Sequence, residues 1–189
     1  RDGCWFETIN GKDERCIDDE IPFDIPKNWT FVRLSTITLY DVGGATPSIS
    51  ESKYWNGNIK WASVRDIQSV YLNDTERRIT ETGFESCSTN IVPKGELIIC
   101  TRVGLGKICI AGDDIAINQD LRGFIISNRI DRQYLIYYYR NIKLEGSGTT
   151  VKGITRNQIL NLLIPLPPCD EQHQIVSKLN RLNSVLSSI

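Results

Sequence analysis

The side chains of this sequence best suited to chemistry on a phosphate or a base lie in a few glycine- and hydroxyl-bearing stretches. In Thr101-Arg102-Val103-Gly104-Leu105-Gly106-Lys107, small residues sit between two cations. A nucleotide-cradling P-loop would need glycine where Thr101 stands and Ser or Thr where Ile108 follows Lys107, so that chemistry is excluded. Two readings remain: a tight turn joining two strands, or a loop whose small residues let Arg102 and Lys107 approach a DNA backbone. Asp41-Val42-Gly43-Gly44-Ala45-Thr46-Pro47-Ser48 has the same character. Gly43 and Gly44 permit close approach, and the hydroxyls of Thr46 and Ser48 can donate to phosphate or base edges. Lys53, Tyr54 and Trp55 follow, interleaved with Asn56, Asn58, Lys60 and Arg65. Such aromatics serve either as core or as stacking surfaces, and their mixing with cations and amides points to nucleic acid. Asn118 and Gln119 are amides of the kind that reads adenine bidentately, or that caps a turn at a strand end. Thr149, Thr150, Lys152 and Thr155 make a last candidate loop, whose alternative is a flexible connection.

Catalytic sets are harder to assemble. A nucleophile–histidine pair would have to use His173, the one histidine, which follows Pro167-Pro168 in what reads as a projecting helix. Amino-methyl transfer would want an Asn- or Asp-Pro-Pro-aromatic motif, whereas the Pro-Pro here lies in Leu166-Pro167-Pro168-Cys169. Asp113 and Asp114 fall on a turn, where solvated charge is the default. We therefore expect no catalysis by this chain. Six cysteines without a C-x-x-C pair, beside a single histidine, argue against structural zinc. With neither a basic start nor an apolar core in Arg1 to Asn10, no secretory signal is expected, and the thiols are expected reduced in the cytoplasm. No run of about 18 apolar residues exists to cross a bilayer, so no membrane partner is expected.

These side chains must be positioned by a strand-rich body. Apolar runs at Phe31 to Leu39, Ile59 to Val64, Glu96 to Arg102, Lys107 to Ala111, Ile115 to Asn118, Leu121 to Ser127 and Ile159 to Ile164 are bounded by turn chemistry and predict strands. Asp131 predicts a helix cap before Gln133 to Arg140, and Asp170 another before the last helix. Shorter helical turns are expected at Arg65 to Ser69, Phe84 to Asn90 and Thr155 to Gln158. Residues 1–25 carry three basic against eight acidic side chains and no sustained period, so they read as an acidic arm or linker; the remainder carries 19 basic against 15 acidic. That mild excess allows a local phosphate-binding face. The expected division is thus an arm (1–25), a recognition domain (26–168) and a helix (169–189). In the helix, Ile175, Leu179, Leu182, Leu186 and Ile189 recur at alternating four- and three-residue steps, the spacing of a coiled-coil seam that wants a partner. The absence of Met suggests a piece of a longer protein.

Taken together, Ile21-Pro22-Phe23-Asp24-Ile25-Pro26-Lys27-Asn28-Trp29-Thr30-Phe31-Val32-Arg33-Leu34, Gly43-Gly44-Ala45-Thr46-Pro47-Ser48, Tyr54-Trp55, Asn118-Gln119 and Pro165-Leu166-Pro167-Pro168 with Glu171-Gln172 resemble one target-recognition half of the DNA specificity subunit of type I restriction-modification systems. The family's loop usually reads Gly-Gly-Thr-Pro-Ser, so Ala45 is an insertion. The resemblance covers about residues 21–189. It implies an α+β fold with a long C-terminal coiled-coil helix and a non-catalytic reader of double-stranded DNA. In such a family two recognition domains grip the halves of a split site while paired helices set their spacing. Methylation and cleavage belong to separate modification and restriction subunits, which would hold S-adenosylmethionine, ATP and Mg, leaving no cofactor to this chain. The expected DNA contacts are Gly43, Gly44, Thr46, Ser48, Lys53, Arg65, Arg102, Lys107, Asn118, Gln119, Lys152 and Thr155. A second recognition half, or a second copy of the chain, would pair along the helix seam. The alternative is a protein-interaction module working through the terminal helix without DNA specificity, whose binding would ignore salt.

Overall fold

Leu97-Ile98-Ile99-Cys100 and Ile108-Cys109-Ile110-Ala111 are buried at every position, as strands covered on both faces must be. The computed structural model, which describes residues 4–9, 11–144 and 153–186, shows what covers them. In chain order the elements are β1 (Phe6–Ile9), β2 (Asp13–Cys16), β3 (Thr30–Arg33), α1 (Leu34–Ile37), β4 (Thr38–Gly43), β5 (Trp55–Ala62), β6 (Tyr71–Leu72), β7 (Arg77–Ile79), α2 (Glu81–Glu85), β8 (Ile91–Val92), β9 (Leu97–Cys100), β10 (Ile108–Ala111), β11 (Ile115–Ile117), β12 (Leu121–Ile126), α3 (Arg132–Asn141), α4 (Arg156–Leu160), β13 (Leu163–Leu166) and α5 (Cys169–Leu186).

A five-stranded sheet in the order β4-β12-β9-β10-β6 stacks on a four-stranded sheet in the order β7-β5-β11-β8. The two-residue period of a strand sorts the side chains between layers. Leu97, Ile99, Ile108, Ile110, Phe124 and Ile126 pack with Tyr134, Leu135, Ile136 and Tyr139 of α3 and with Val176 of α5. Their neighbours Ile98, Cys100, Cys109 and Ala111 face Ala62, Val92, Ile115 and Ile117 of the second sheet. The result is helices on sheet on sheet, the strand-rich α+β arrangement expected. Burial pushes the Cys100 and Cys109 thiols up to about 12, so they serve as packing groups rather than nucleophiles.

Several local expectations change. Phe31 to Leu39 does not run as one strand: Leu34 and Ile37 both bury at helical spacing, making α1 between β3 and β4. Ile159 to Ile164 divides between α4 and β13, because Thr155 and Gln158 close a capping box and β13 then pairs antiparallel with β3. Arg65 to Ser69 is a non-helical loop, held by Asp66, whose carboxylate accepts from Ser63 N (2.8 Å) and Glu76 N (2.7 Å). The helix expected at Phe84 to Asn90 lies earlier, because Thr80 accepts from Gly83 N and starts it there. Asp131 caps α3 as expected. Asp170 falls inside the first turn of α5 instead, since the Pro168 carbonyl already accepts from Glu171 N and Gln172 N. Residues 1–25, read as lacking regular structure, contain the β1–β2 hairpin. Its Glu7 pairs with Arg33 at 2.8 Å, and that guanidinium holds the Glu7 carboxyl down at about 2.

The terminal helix is anchored before it projects. Gln172 and Val176 are buried; Gln172 donates to the Pro167 carbonyl at 3.0 Å and accepts from Asp131 N at 2.9 Å. Ile175 is half-buried against the same core, and Leu179 is half-buried. Leu182 and Leu186 stand 59% and 70% exposed. Ile189 lies outside the described residues.

Candidate nucleic-acid interface

Strand register gathers the sequence-predicted loops at one end of the two sheets. Leu121 pairs with Cys100, Arg122 with Gly43 and Ile117 with Ala62, so the chain leaves β4, β5, β9 and β11 at the same end. Backbone bonds stitch these exits together: Ala45 N to Ile117 O (3.1 Å), Asn118 N to Ala62 O (2.9 Å) and Thr101 N to Asp120 O (2.8 Å). Ile154 N also donates to Thr101 O at 2.8 Å, which brings Gly153 alongside. The turn between β9 and β10 closes with Lys107 N donating to Gly104 O. Gly104 and Gly106 there take φ of 92° and 89°, the left-handed region that favours glycine.

A hollow of about 440 Å³ opens among these loops, lined by Ser63, Val64, Arg65, Val103, Lys107 and Asp120 among others. Arg65, Arg102 and Lys107 are exposed around it. Arg102 approaches Asp120 at 4.0 Å, and Lys107 Nζ donates to Val64 O at 3.3 Å. The two amides part company. Asn118 is buried: its Oδ1 accepts from Asp120 N at 3.1 Å and its Nδ2 donates to Asp120 Oδ2 at 3.2 Å, so it caps the turn. Gln119 stays exposed, its Oε1 accepting from Thr46 Oγ1 at 2.5 Å. That bond holds the Gly43–Ser48 segment against the turn after β11.

Not every candidate converges here. Lys53 sits in the short turn before β5, at the opposite end of that strand, beside the Tyr54 ring and 3.8 Å from Glu51. Ser48 accepts from Trp55 Nε1 through its carbonyl (3.0 Å) and meets Ser50 through its hydroxyl. Thr155 caps α4 with its side chain. Lys152, with Thr149 and Thr150, lies outside the described residues.

Sequence reasoning missed Val64, Val103 and Asp120, and it missed Asp41. The Asp41 carboxylate, 4% exposed, binds both Arg122 of β12 and Arg156 of α4, the latter at 2.6 Å. Burial pushes this carboxyl up, but the hydrogen bonds from Arg156 and Arg122 outweigh it and hold Asp41 below the usual carboxylate range. These partners lie 81 and 115 residues away along the chain, where no local signal connects them. Among the described residues, no group of three or more His, Cys, Asp or Glu could hold a metal ion. No described helix is long and apolar enough to cross a membrane.

Residues 26–188 match the model of the type I restriction modification DNA specificity domain. Over 173 residues the chain is 28% identical to the type I restriction enzyme MjaIX specificity subunit of Methanocaldococcus jannaschii, covering 87% of this chain and 40% of that protein. Over 161 residues it is 29% identical to the EcoR124I/EcoR124II specificity subunit of Escherichia coli, covering 78% of this chain and 39% of that one. The fold is shared with the HsdS subunit of Thermoanaerobacter tengcongensis, at a TM-score of 0.66 and 20% identity over 88% of this chain and 40% of that chain. A chain from structural work on complex assembly and conformational transition of the type I R-M system superposes at a TM-score of 0.72 with 24% identity, over 88% of this chain and 41% of that one. The chain thus spans about two fifths of the length of the curated relatives it matches. By the extent of that match, the chain belongs to the type I restriction-modification DNA specificity domain family, the non-catalytic component of such systems.

Proposed function

We propose that this chain reads one half of a bipartite double-stranded DNA target in the cytoplasm and so directs modification and restriction subunits to it. The supporting observation is the gathering of Arg65, Arg102, Lys107, Thr46 and Gln119 at one end of the two sheets. Cations on glycine-bearing loops position a duplex through its phosphates, and a few amides or hydroxyls then read base edges. Gln119 takes the reading role, because Asn118 is consumed in its own turn. S-adenosylmethionine, ATP and Mg are the partner subunits' ligands in this scheme.

Selection from a randomised duplex library at near-physiological salt, with and without the modification subunit, tests the reading. Enrichment of a short half-site, or of its spaced palindrome, is the expected result. No enrichment in either case overturns it in favour of an interaction module. Converting Arg102 and Lys107 together to alanine is expected to weaken binding to the enriched duplex. Each lost phosphate contact removes about 0.9 from the log–log salt slope, or roughly fivefold in affinity near 0.15 M salt.

The exposed end of α5 supports a partner helix, that of a second recognition half in a longer chain or in a second copy. Leu182→Asp with Leu186→Asp is expected to abolish pairing in sedimentation while leaving the circular dichroism of the single chain unchanged, because both side chains stand in solvent on the unpaired chain. Pairing that survives places the interface elsewhere.

A further inference from the structure

We propose that Arg65, Arg77 and Asn56 form a second binding arm for the DNA backbone, running from the loop cluster along the outer edge of the four-stranded sheet. This rests on the DNA-reading function proposed above and extends it from Arg65 of the loop cluster to Arg77 and Asn56 outside it.

The hollow in the loop cluster is not isolated. Ser63 and Arg65 also line a depression of about 210 Å³ that reaches Arg77. Arg77 in turn lines a third, of about 370 Å³, with Trp55, Asn56 and Arg78. The shared residues make one groove beside β7, the edge strand of its sheet.

Arg77 is seated in this groove in an unusual way. Its guanidinium carbon lies 5.3 Å from the centroid of the Trp55 ring. That ring is fixed in turn by an edge-to-face contact with Trp61 at 5.3 Å and by its Nε1 bond to Ser48 O at 3.0 Å. Among the described residues Arg77 makes no ion pair, whereas its neighbour Arg78 is taken by Asp74 at 2.8 Å. Arg65 likewise carries no ion pair among the described residues and is exposed. An arginine held over an aromatic face has less side-chain entropy left to lose, and without an ion pair its N–H fork is open to a phosphate.

The backbone is shaped to make that seat. Trp55 and Ile59 both pair with Ile79, so Asn56-Gly57-Asn58 form a bulge within β5. The bulge folds Trp55 back toward β7; an unbroken strand of that length would carry it past the strand's end. Asn56 stands at φ 62°, left-handed geometry that costs free energy in a residue other than glycine. Gly57 lies so close to β7 that a Cβ there would come 2.5 Å from Ile79 O. The product of this local strain is the Arg77 seat and an exposed Asn56 beside it.

The rim carries Arg65, Arg77 and Arg78 against Asp66, Asp74 and Glu76, so its formal charge balances, and the attraction for a phosphodiester rests on the two arginines that have no ion-pair partner among the described residues. Both Asp66 oxygens accept from Ser63 and Glu76 backbone N–H groups, and Asp74 is paired with Arg78. Glu76 is the remaining carboxylate on the rim, set against Arg65 and Arg77 together.

The test measures affinity for a duplex carrying the selected half-site across a salt series, with the modification subunit present where selection needed it. Arg77→Gln and Arg65→Gln are each expected to bind roughly fivefold more weakly near 0.15 M salt, to lower the salt slope by about 0.9 and to select the same site. Arg77→Lys is expected to recover the slope. Both parent residues are exposed, so melting temperatures should match the parent; Arg65 also belongs to the loop cluster, so Arg77→Gln carries the test, and Arg77→Lys separates lost charge from a disturbed Trp55 seat. Unchanged affinity and slope in Arg77→Gln, with the parent still selecting its site, would overturn the arm and leave the reading function standing. A changed selected site in Arg77→Gln would make Arg77 a base reader and overturn the backbone assignment. A parent chain that selects no site would sink both.

Discussion

Gly44→Ala is expected to destabilise the protein by about 1–3 kcal/mol, as overpacking of a closed site does, and to cost roughly ten- to a hundredfold in affinity for the selected half-site, the worth of one or two base contacts. A Cβ at position 44 would lie 2.0 Å from Ile117 O and 2.4 Å from Asn118 O. Neither oxygen can retreat cheaply. Ile117 O already accepts from Ala45 N and from the Thr89 hydroxyl, and Asn118 is locked in its turn by Asp120. The segment must therefore lift, which breaks the bond from Thr46 to Gln119 and unseats the loop nearest the reading amide. Gly43 is the control, since a Cβ there meets the flexible tip of Arg122 at 3.4 Å. Gly43→Ala is expected to be nearly neutral. Thermal melting and duplex titration of the pair decide the matter; two indistinguishable variants would mean that the close approach at Gly44 does not hold the loop.

Asp41→Ala is expected to cost about 2–3 kcal/mol of stability. Removing one partner of a buried ion pair usually costs roughly 3–5 kcal/mol, reduced here because Arg122 and Arg156 are 26% and 50% exposed and can rehydrate. The carboxylate joins β4, which leads into the Gly43–Ser48 loop, to β12 and to α4, so its loss loosens the loop cluster from two sides. The pH dependence follows from the direction of the shift. The folded carboxyl is held below its ordinary value, so its contribution is complete above the unfolded pKa and is lost as pH falls through the folded one. Wild-type stability should therefore fall on acidification below about pH 4, and the difference between wild type and Asp41→Ala should shrink in the same window. Glu7, held at about 2 against an ordinary 4.5, acts in the same sense in both proteins and cancels from that difference. A difference that stays constant into acid would show that the arginine pairs contribute nothing.

How much was legible beforehand depends on how far each signal reaches along the chain. The central strands β9, β10, β11 and β12 were readable because short apolar runs are bounded by glycine, proline and aspartate turns. Asp131 announced α3, since capping is settled within three residues, and a helical turn was expected at Thr155 to Gln158, although the strand expected from Ile159 hid its continuation to Leu160. The break at Leu34 was not readable. No glycine or proline marks it, and it exists because β13 binds β3 and both Leu34 and Ile37 find the core there. The β1–β2 hairpin was missed for a related reason: every residue of β2 is exposed, so no apolar alternation betrays the strand, and the hairpin is held instead by Glu7 on Arg33.

The candidate site shows the same division. Local composition alone determined that the glycine-bearing loops, the cations and the Asn118-Gln119 pair were the groups worth watching, that a P-loop was excluded, and that the last helix carries an apolar stripe. Only the tertiary structure decided that the loops of Arg65, Arg102, Lys107 and Gln119 lie at one end of the sheets while Lys53 lies at the other. It also decided that Asn118 is spent internally, that Asp41 binds two distant arginines, and that Ile175 leans on the domain while Leu186 faces solvent. Caps, turns and periods are free-energy differences between neighbours in the chain, and neighbours can be read directly. Strand register and the pairing of Asp41 with Arg122 and Arg156 are set by burial summed over the whole fold, a quantity that no short stretch of sequence contains.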